Sequence, residues 1–316
     1  MARSPHPGPL PHVVGGEGEI HGLNYRHAFH AGNFADVMKH LALVAILLHL
    51  RKKDAPFAVI DTHAGRGLYD LSGEQSGRTG EAANGIGRLM VPAVMQSALP
   101  EALHRYLAIV EGTGGRFYPG SPIVATMMLR PQDRLVALEK QEDEAAALKS
   151  ALAVFRNKAL VSEQADGYAR LAALLPPKER RGLVLIDPPF EDADEFAAQA
   201  RAVAAALKKF ATGIYLLWFP VKSAAEANAF AGEVLAAGVK KAVRIDLDIG
   251  AAEKAAGTKE RLTGSGLIVV NPPFGFAEEM REALARVAPL LSDTSDGRGK
   301  PGRGARFEVR WIAGGE

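Results

Sequence analysis

"GLVLIDPPF", residues 182–190, decides how this chain is read. Its apolar run does not alternate with polar residues, which is the pattern of a strand covered on both faces. The run stops at Asp187, and Pro188 and Pro189 cannot continue a ladder because proline has no N–H to give. A near copy, "LIVVNPPF" at 267–274, carries Asn271 where the first carries Asp187. Either stretch is a proline-terminated strand; the first also sets an acid, a stiff carbonyl-bearing turn and an aromatic ring at one strand tip.

Outward from this stretch, short apolar runs alternate with helical patterns. Strands are expected at 56–61, 134–139, 159–164, 182–187, 213–220, 242–249 and 265–273. Helices are expected at 33–53, 120–130, 142–155, 167–175, 194–210, 223–238 and 278–291. Such alternation means a mostly parallel sheet with helices on both faces. Only a polar loop separates the last two of these strands, so they are expected to form an antiparallel hairpin. Residues 68–118 interrupt the rhythm with weak amphipathic helices and read as a small inserted helical subdomain. "FEVRWIA", 307–313, is a candidate closing strand. The fold class is therefore α/β and Rossmann-like, with a mostly parallel seven-stranded sheet and an antiparallel C-terminal hairpin. That is the usual plan of class I S-adenosylmethionine-dependent methyltransferases, an argument from fold analogy.

The 316 residues are 47% hydrophobic and 23% charged, ordinary for a globular protein. With no cysteine, disulfides, thiolate zinc sites and a cysteine nucleophile are excluded, and a cytoplasmic location fits. The longest apolar run, 41–50, is about half of a membrane span, so no membrane partner is expected. Residues 1–22 are rich in Pro, Gly and His and read as a disordered extension rather than a signal peptide, leaving 23–316 as one domain. Net charge is only +2, but Lys and Arg cluster at 51–53, 178–181, 208–209 and 240–241 and in a tail with Arg298, Lys300, Arg303 and Arg306. Such clusters are solvated faces unless several share a side, where they would track phosphates.

Four strand ends carry candidate chemistry. "VIDTHAGRG", 59–67, ends a strand at Asp61 and turns on Gly65 and Gly67, which allow the backbone to bend tightly beside a ligand. It is not a dinucleotide fingerprint: the next acidic strand end, Glu139, follows only after the 68–118 segment. Across that insertion Glu139 is placed to hold ribose hydroxyls. Asp166 and Gly167, after the third strand, fit contacts to an adenine ring, and Asp166 equally fits a helix N-cap. At the fourth strand, the Asp187 carboxylate and the Pro188 carbonyl would each accept an N–H of an aromatic amine, turning its lone pair toward an electrophile. Phe190 would stack on a base taken out of its helix. The second copy, at 271–274, reads as a structural strand end. Tyr25 and Arg26, in the polar segment 24–40, are free to touch a base or phosphate. His27 and His30 with His40 or His63 raise a metal reading, but nothing fixes that geometry and no metal is expected.

Several stretches in order resemble the RlmJ-type bacterial 23S ribosomal RNA adenine-N6 methyltransferases: 25–40, "DTHAGRG" (61–67), "FYPGSPIVA" (117–125), "ADGY" (165–168), "RRGLVLIDPPF" (180–190), "FATGIYLLWFPV" (210–221) and "SGLIVVNPPF" (265–274). The resemblance implies S-adenosylmethionine held by His40, His63, Ser121, Glu139, Asp166 and Gly167, a catalytic Asp187 touching the cofactor, and Tyr25 on the substrate. It implies 23S ribosomal RNA as partner before ribosome assembly is complete, and a monomer. Phe190 stands where the family commonly has Tyr, and Glu139 precedes "KQ" where relatives tend to have "LHP". The alternatives are a methyltransferase of DNA adenine or of a protein amide nitrogen, separable by a side-by-side assay, and an RNA-binding assembly factor with a vestigial cofactor site.

Overall fold

The computed structural model describes residues 30–72, 80–156, 158–250, 262–292 and 304–315. The extension at 1–22, Tyr25, Arg26, His27 and most of the basic stretch at 293–306 lie outside them.

Five strands run parallel: β1 (Ala58–Asp61), β4 (Arg134–Glu139), β5 (Ala159–Gln164), β6 (Gly182–Ile186) and β7 (Ile214–Pro220). β9 (Gly264–Val270) pairs antiparallel with both β7 and β8 (Ala242–Asp248), which gives the expected hairpin. The sheet has eight strands where seven were expected. β10 (Arg306–Ala313) pairs antiparallel with β8, giving the order β10-β8-β9-β7-β6-β1-β4-β5. The closing run at 307–313 is this eighth strand, and it covers an edge that β8 would otherwise leave open.

Alternate residues of each strand serve opposite cores, as the period of two requires. Val59, Leu183, Leu185 and Leu216 enter one; Ile60, Val184, Ile186, Tyr215 and Leu217 enter the other. The first core is built around α1 (Phe34–Arg51), which is apolar on nearly every side and correspondingly buried. Asn33 starts that helix by accepting from the N–H groups of Ala35 and Asp36.

The weak helical signal after residue 80 resolves into three one-turn helices, Glu81–Asn84, Ile86–Leu89 and Pro92–Met95, followed by α2 (Glu101–Glu111). A ribbon of β2 (Leu68–Asp70) and β3 (Phe117–Pro119) opens and closes this excursion. The remaining helices are α3 (Ser121–Met128), α4 (Glu142–Leu152), α5 (Gly167–Leu174), α6 (Glu195–Lys209), α7 (Ala224–Ala236) and α8 (Phe276–Leu291). Among the described residues no helix is long and apolar enough to cross a membrane.

Candidate active site

β6, β1, β4 and β5 lie side by side, and their carboxyl ends bring Asp187, Asp61, Glu139 and Asp166 to one edge of the sheet. Chain order reverses between β1 and β6, and a crevice outside such a switch point is where open α/β sheets bind ligands.

The turn after β1 is built as its glycines suggest. Gly65 and Gly67 have φ of 58° and 81°. Gly65 N–H donates to Glu139 Oε2 at 2.9 Å and Gln141 N–H to Oε1 at 2.8 Å. Glu139 therefore clamps the turn, and each of its oxygens keeps a further lone pair for a ligand. Burial pushes its carboxyl above the ordinary range, and these N–H groups oppose the shift.

Ser121, in the first turn of α3, donates to Asp61 Oδ2 at 2.7 Å. Asp61 is 1% exposed and its Oδ1 has no partner, a buried acceptor left at the crevice. Burial pushes Asp61 up to about 7, and the nearby Asp187 charge adds to this against the Ser121 hydrogen bond. His63 bonds the Thr62 hydroxyl through Nδ1 at 2.8 Å and packs edge-on against Tyr168, centroids 4.9 Å apart. Burial pushes the His63 imidazole down to about 4, so the ring is neutral at pH 7. Asp166 caps α5 by accepting from Ala169 N–H, so the cap reading holds, and it also pairs with Lys140 at 3.1 Å. Gly167 is required by space: a Cβ there would lie 2.0 Å from the Thr62 carbonyl oxygen.

At β6, Asp187 Oδ2 accepts from Lys39 Nζ of α1. The same ammonium donates to Asp36 Oδ1 at 2.7 Å, and Asp36 Oδ2 accepts from Gly32 N–H at 2.9 Å. Burial alone would lower the Lys39 pKa, but Asp187 and Asp36 outweigh it and hold the amine charged. Pro188 is buried. Phe190 has a φ of 52°, a left-handed conformation that a bulky residue adopts at a cost of about 1–3 kcal/mol. Its half-buried ring packs edge-on against Phe196 and Trp218, centroids 4.8 and 5.6 Å away.

The structure thus gathers Asp187, Pro188, Phe190, Glu139, His63, Asp166, Gly167 and, through Asp61, Ser121. His40 is set deeper: 1% exposed, it bonds the Tyr118 hydroxyl at 2.7 Å through Nδ1 and lies stacked on that ring. Lys39 and Asp36 were not among the residues singled out from the sequence for binding or catalysis, and Asp61 was named only as the strand end before the glycine turn, with no role for its carboxyl. The signal for Lys39 was a charged pair, Asp36 and Lys39, at helical spacing inside an otherwise apolar helix.

A family described as "Ribosomal RNA large subunit methyltransferase D, RlmJ" matches residues 54–301. The chain belongs to the RlmJ family. Two relatives named ribosomal RNA large subunit methyltransferase J agree. That of Escherichia coli K12 is 40% identical over 83% of this chain and 91% of its own length. That of Haemophilus influenzae is 38% identical over 92% and 99%. A crystallised Legionella pneumophila protein is 33% identical over 89% of this chain and 98% of its own, with a TM-score of 0.76. The RlmJ match takes in Asp61, Glu139, Asp166 and Asp187, while α1 with Lys39 precedes it.

Proposed function

We propose that this chain transfers a methyl group from S-adenosylmethionine to the exocyclic N6 amine of one adenine in 23S ribosomal RNA. The observation that carries this reading is the Asp187 carboxylate at the tip of β6, beside Asp61 and the glycine turn. RlmJ-family membership supports it.

The residues present fit the cofactor: an unpartnered buried carboxylate oxygen on Asp61 and a backbone turn clamped by Glu139 form a polar cradle at the switch point. Glu139, Asp166 and Gly167, with His63, Ser121 and His40, are the residues that would hold it. S-adenosylmethionine supplies an electrophilic methyl group when bound. Asp187 has Oδ2 on Lys39, which leaves Oδ1 to accept one N–H of the adenine amine. The Pro188 carbonyl accepts the other. The two acceptors draw the nitrogen out of conjugation, and rigid placement of reacting groups supplies much of the rate. Phe190, braced by Phe196 and Trp218, offers a ring to the extruded base. Tyr25 is the residue we assign to the substrate from the resemblance. The excursion between 68 and 118 is taken as an insertion into this single domain, which works as a cytoplasmic monomer on RNA before ribosome assembly is complete.

The test is methyl transfer from labelled cofactor to unmodified 23S RNA, with DNA and protein substrates in parallel. Asp187→Ala is expected to lose activity by at least about 10²-fold while calorimetric cofactor binding largely remains. Full activity of that variant would overturn the assignment, and labelling of DNA or protein alone would replace the substrate.

A further inference from the structure

The carboxyl edge of the sheet, where the target adenine would enter, is lined by the carboxylates of Asp61, Glu139, Asp166 and Asp187. Lys39 and Lys140 there are tied to Asp187 and Asp166, and a row of exposed cations lies at the opposite edge. In a parallel sheet the segment before each strand emerges at the amino edge. Lys52 and Lys53 precede β1, Arg180 precedes β6, Lys208 precedes β7 and Lys240 precedes β8. All five are exposed, and none forms an ion pair among the described residues. Their strands are neighbours in the order β8-β9-β7-β6-β1, so at about 4.8 Å per strand the stripe runs about 20 Å. Four of the five clusters noted in the sequence share a side, the one away from Asp187; the tail cluster enters the sheet at Arg306, which pairs with Asp248 at the other edge. β6, with five residues, puts about 17 Å between the two edges.

Two further observations separate this stripe from lysines that merely complement helix dipoles. First, β9 runs against its neighbours, so its carboxyl end delivers Asn271 and Phe274 into the stripe between the β8 and β7 segments. Asn271, at φ 52°, donates through Nδ2 to the carbonyls of Ala211 and Gly213 and through its N–H to that of Lys241. That pinned turn holds the Phe274 ring 76% exposed. Second, charge here is under-compensated. His49 is pushed toward its neutral form first by burial and then by Lys52, Arg181 and Lys53. The Arg51 pKa is lowered likewise, by burial, Arg105 and Arg130. Asp133 and Glu179 are taken by Arg130 and Arg134, and Glu278 by Arg281. Asp54 follows Lys53 and Glu279 acts on Lys52, which leaves the stripe a positive excess.

We propose that the amino edge of the sheet is a second RNA-docking surface, which takes the phosphates of folded RNA flanking the target adenine and stacks an unpaired base on Phe274. Cations interleaved with an outward aromatic ring are the elements of such a surface. The proposal rests on the ribosomal RNA reading, but its readout is affinity and not methylation.

The test compares the full chain with a variant carrying Lys52→Gln, Lys53→Gln, Arg180→Gln, Lys208→Gln and Lys240→Gln, and separately with Phe274→Ala. Filter binding to deproteinised 23S RNA at about 50–200 mM salt gives affinity and salt slope. Calorimetric cofactor binding and the thermal midpoint verify the fold. The five-site variant is expected to bind at least about 10-fold more weakly at the lower salt, and its log–log salt slope should be shallower by about 0.7–0.9 for each phosphate no longer neutralised. KM for the RNA should rise with kcat unchanged, and Phe274→Ala should weaken binding without altering the slope. Unchanged affinity and slope in the five-site variant would overturn the proposal even if methylation proceeds. So would a loss seen only on protein-bearing ribosomal particles, which would make the partner a ribosomal protein. Absence of RNA methylation by the parent chain with the binding effect intact would instead strike the catalytic reading alone.

Discussion

Lys39 joins Asp36 on its own helix to Asp187 at the tip of β6, so one ammonium ties α1 to the strand end proposed to hold the amine. Its side chain is 5% exposed, that of Asp36 2% and that of Asp187 14%. Removing one member of a buried ion network leaves the others uncompensated and costs about 3–5 kcal/mol. Lys39→Met is therefore expected to lower the stability measured by urea unfolding by that order and to depress methyl transfer. Lys39→Arg should recover most of the stability. Unfolding indistinguishable from the parent in Lys39→Met would show that the triad does not hold the helix.

Asp61 makes stability depend on pH. Its carboxyl is raised to about 7 in the folded chain, against the ordinary carboxylate value of about 3.9 when unfolded. The folded state then holds the proton more tightly than the unfolded state. The resulting stabilisation is full below about pH 4 and is lost as pH rises to about 7. Asp61→Asn cannot ionise, so its stability relative to the parent should rise between about pH 5 and about pH 8. Paired denaturant titrations at the two values measure this, and a constant difference between the proteins would contradict it.

Gly167 has no room for a side chain, because a Cβ would meet the Thr62 carbonyl at 2.0 Å. Gly167→Ala must push α5 away from the end of β1, with an expected loss of about 1–3 kcal/mol and weaker cofactor binding by calorimetry. Gly232, inside α7, has open space within 4 Å of where a methyl group would stand, so Gly232→Ala should stabilise by about 0.5–1 kcal/mol. Similar effects at the two positions would mean that the turn adjusts freely.

Asn271 separates the two proline turns by experiment. Asn271→Ala removes the donors to Ala211 and Gly213 and places alanine, which disfavours the left-handed region, at φ 52°. Loss of about 1–3 kcal/mol is expected, with kcat at saturating RNA unaltered. Asn271→Gly should lose less, since glycine accepts the backbone angle. A fall in kcat comparable to that of Asp187→Ala would return the second turn to the active site.

The alternation of strands and helices was legible because each strand is buried on both faces and so shows as an unbroken apolar run. Glu139, Asp166, Gly167 and Asp187 were legible as strand ends, which the parallel sheet carries to one edge. The eighth strand was harder: β10 is an edge with only Val309 buried, so its apolar signal is weak. Lys39 was hidden for the opposite reason. α1 buries Asp36, Lys39 and His40 along with its apolar residues, so polar letters that look like a solvent face are interior groups satisfying one another. The direction of the second proline turn depends on whether β9 runs with or against β7, which no local pattern records.

The ribbon of β2 and β3 has a consequence for how this architecture can change. Leu68 pairs with Pro119, and Gly120 N–H donates to the Gly67 carbonyl at 2.8 Å. The excursion therefore leaves the sheet and returns to it at touching points, one residue short of Ser121. What lies beyond that neck is no appendage, because α2 buries Leu103, Tyr106, Leu107 and Val110 in the core built around α1, and Tyr118 holds His40. The neck is therefore a clasp: a chain pruned there should lose the cover of α1 and with it the fold, although Gly67 and Gly120 would still hold β1 and α3 together.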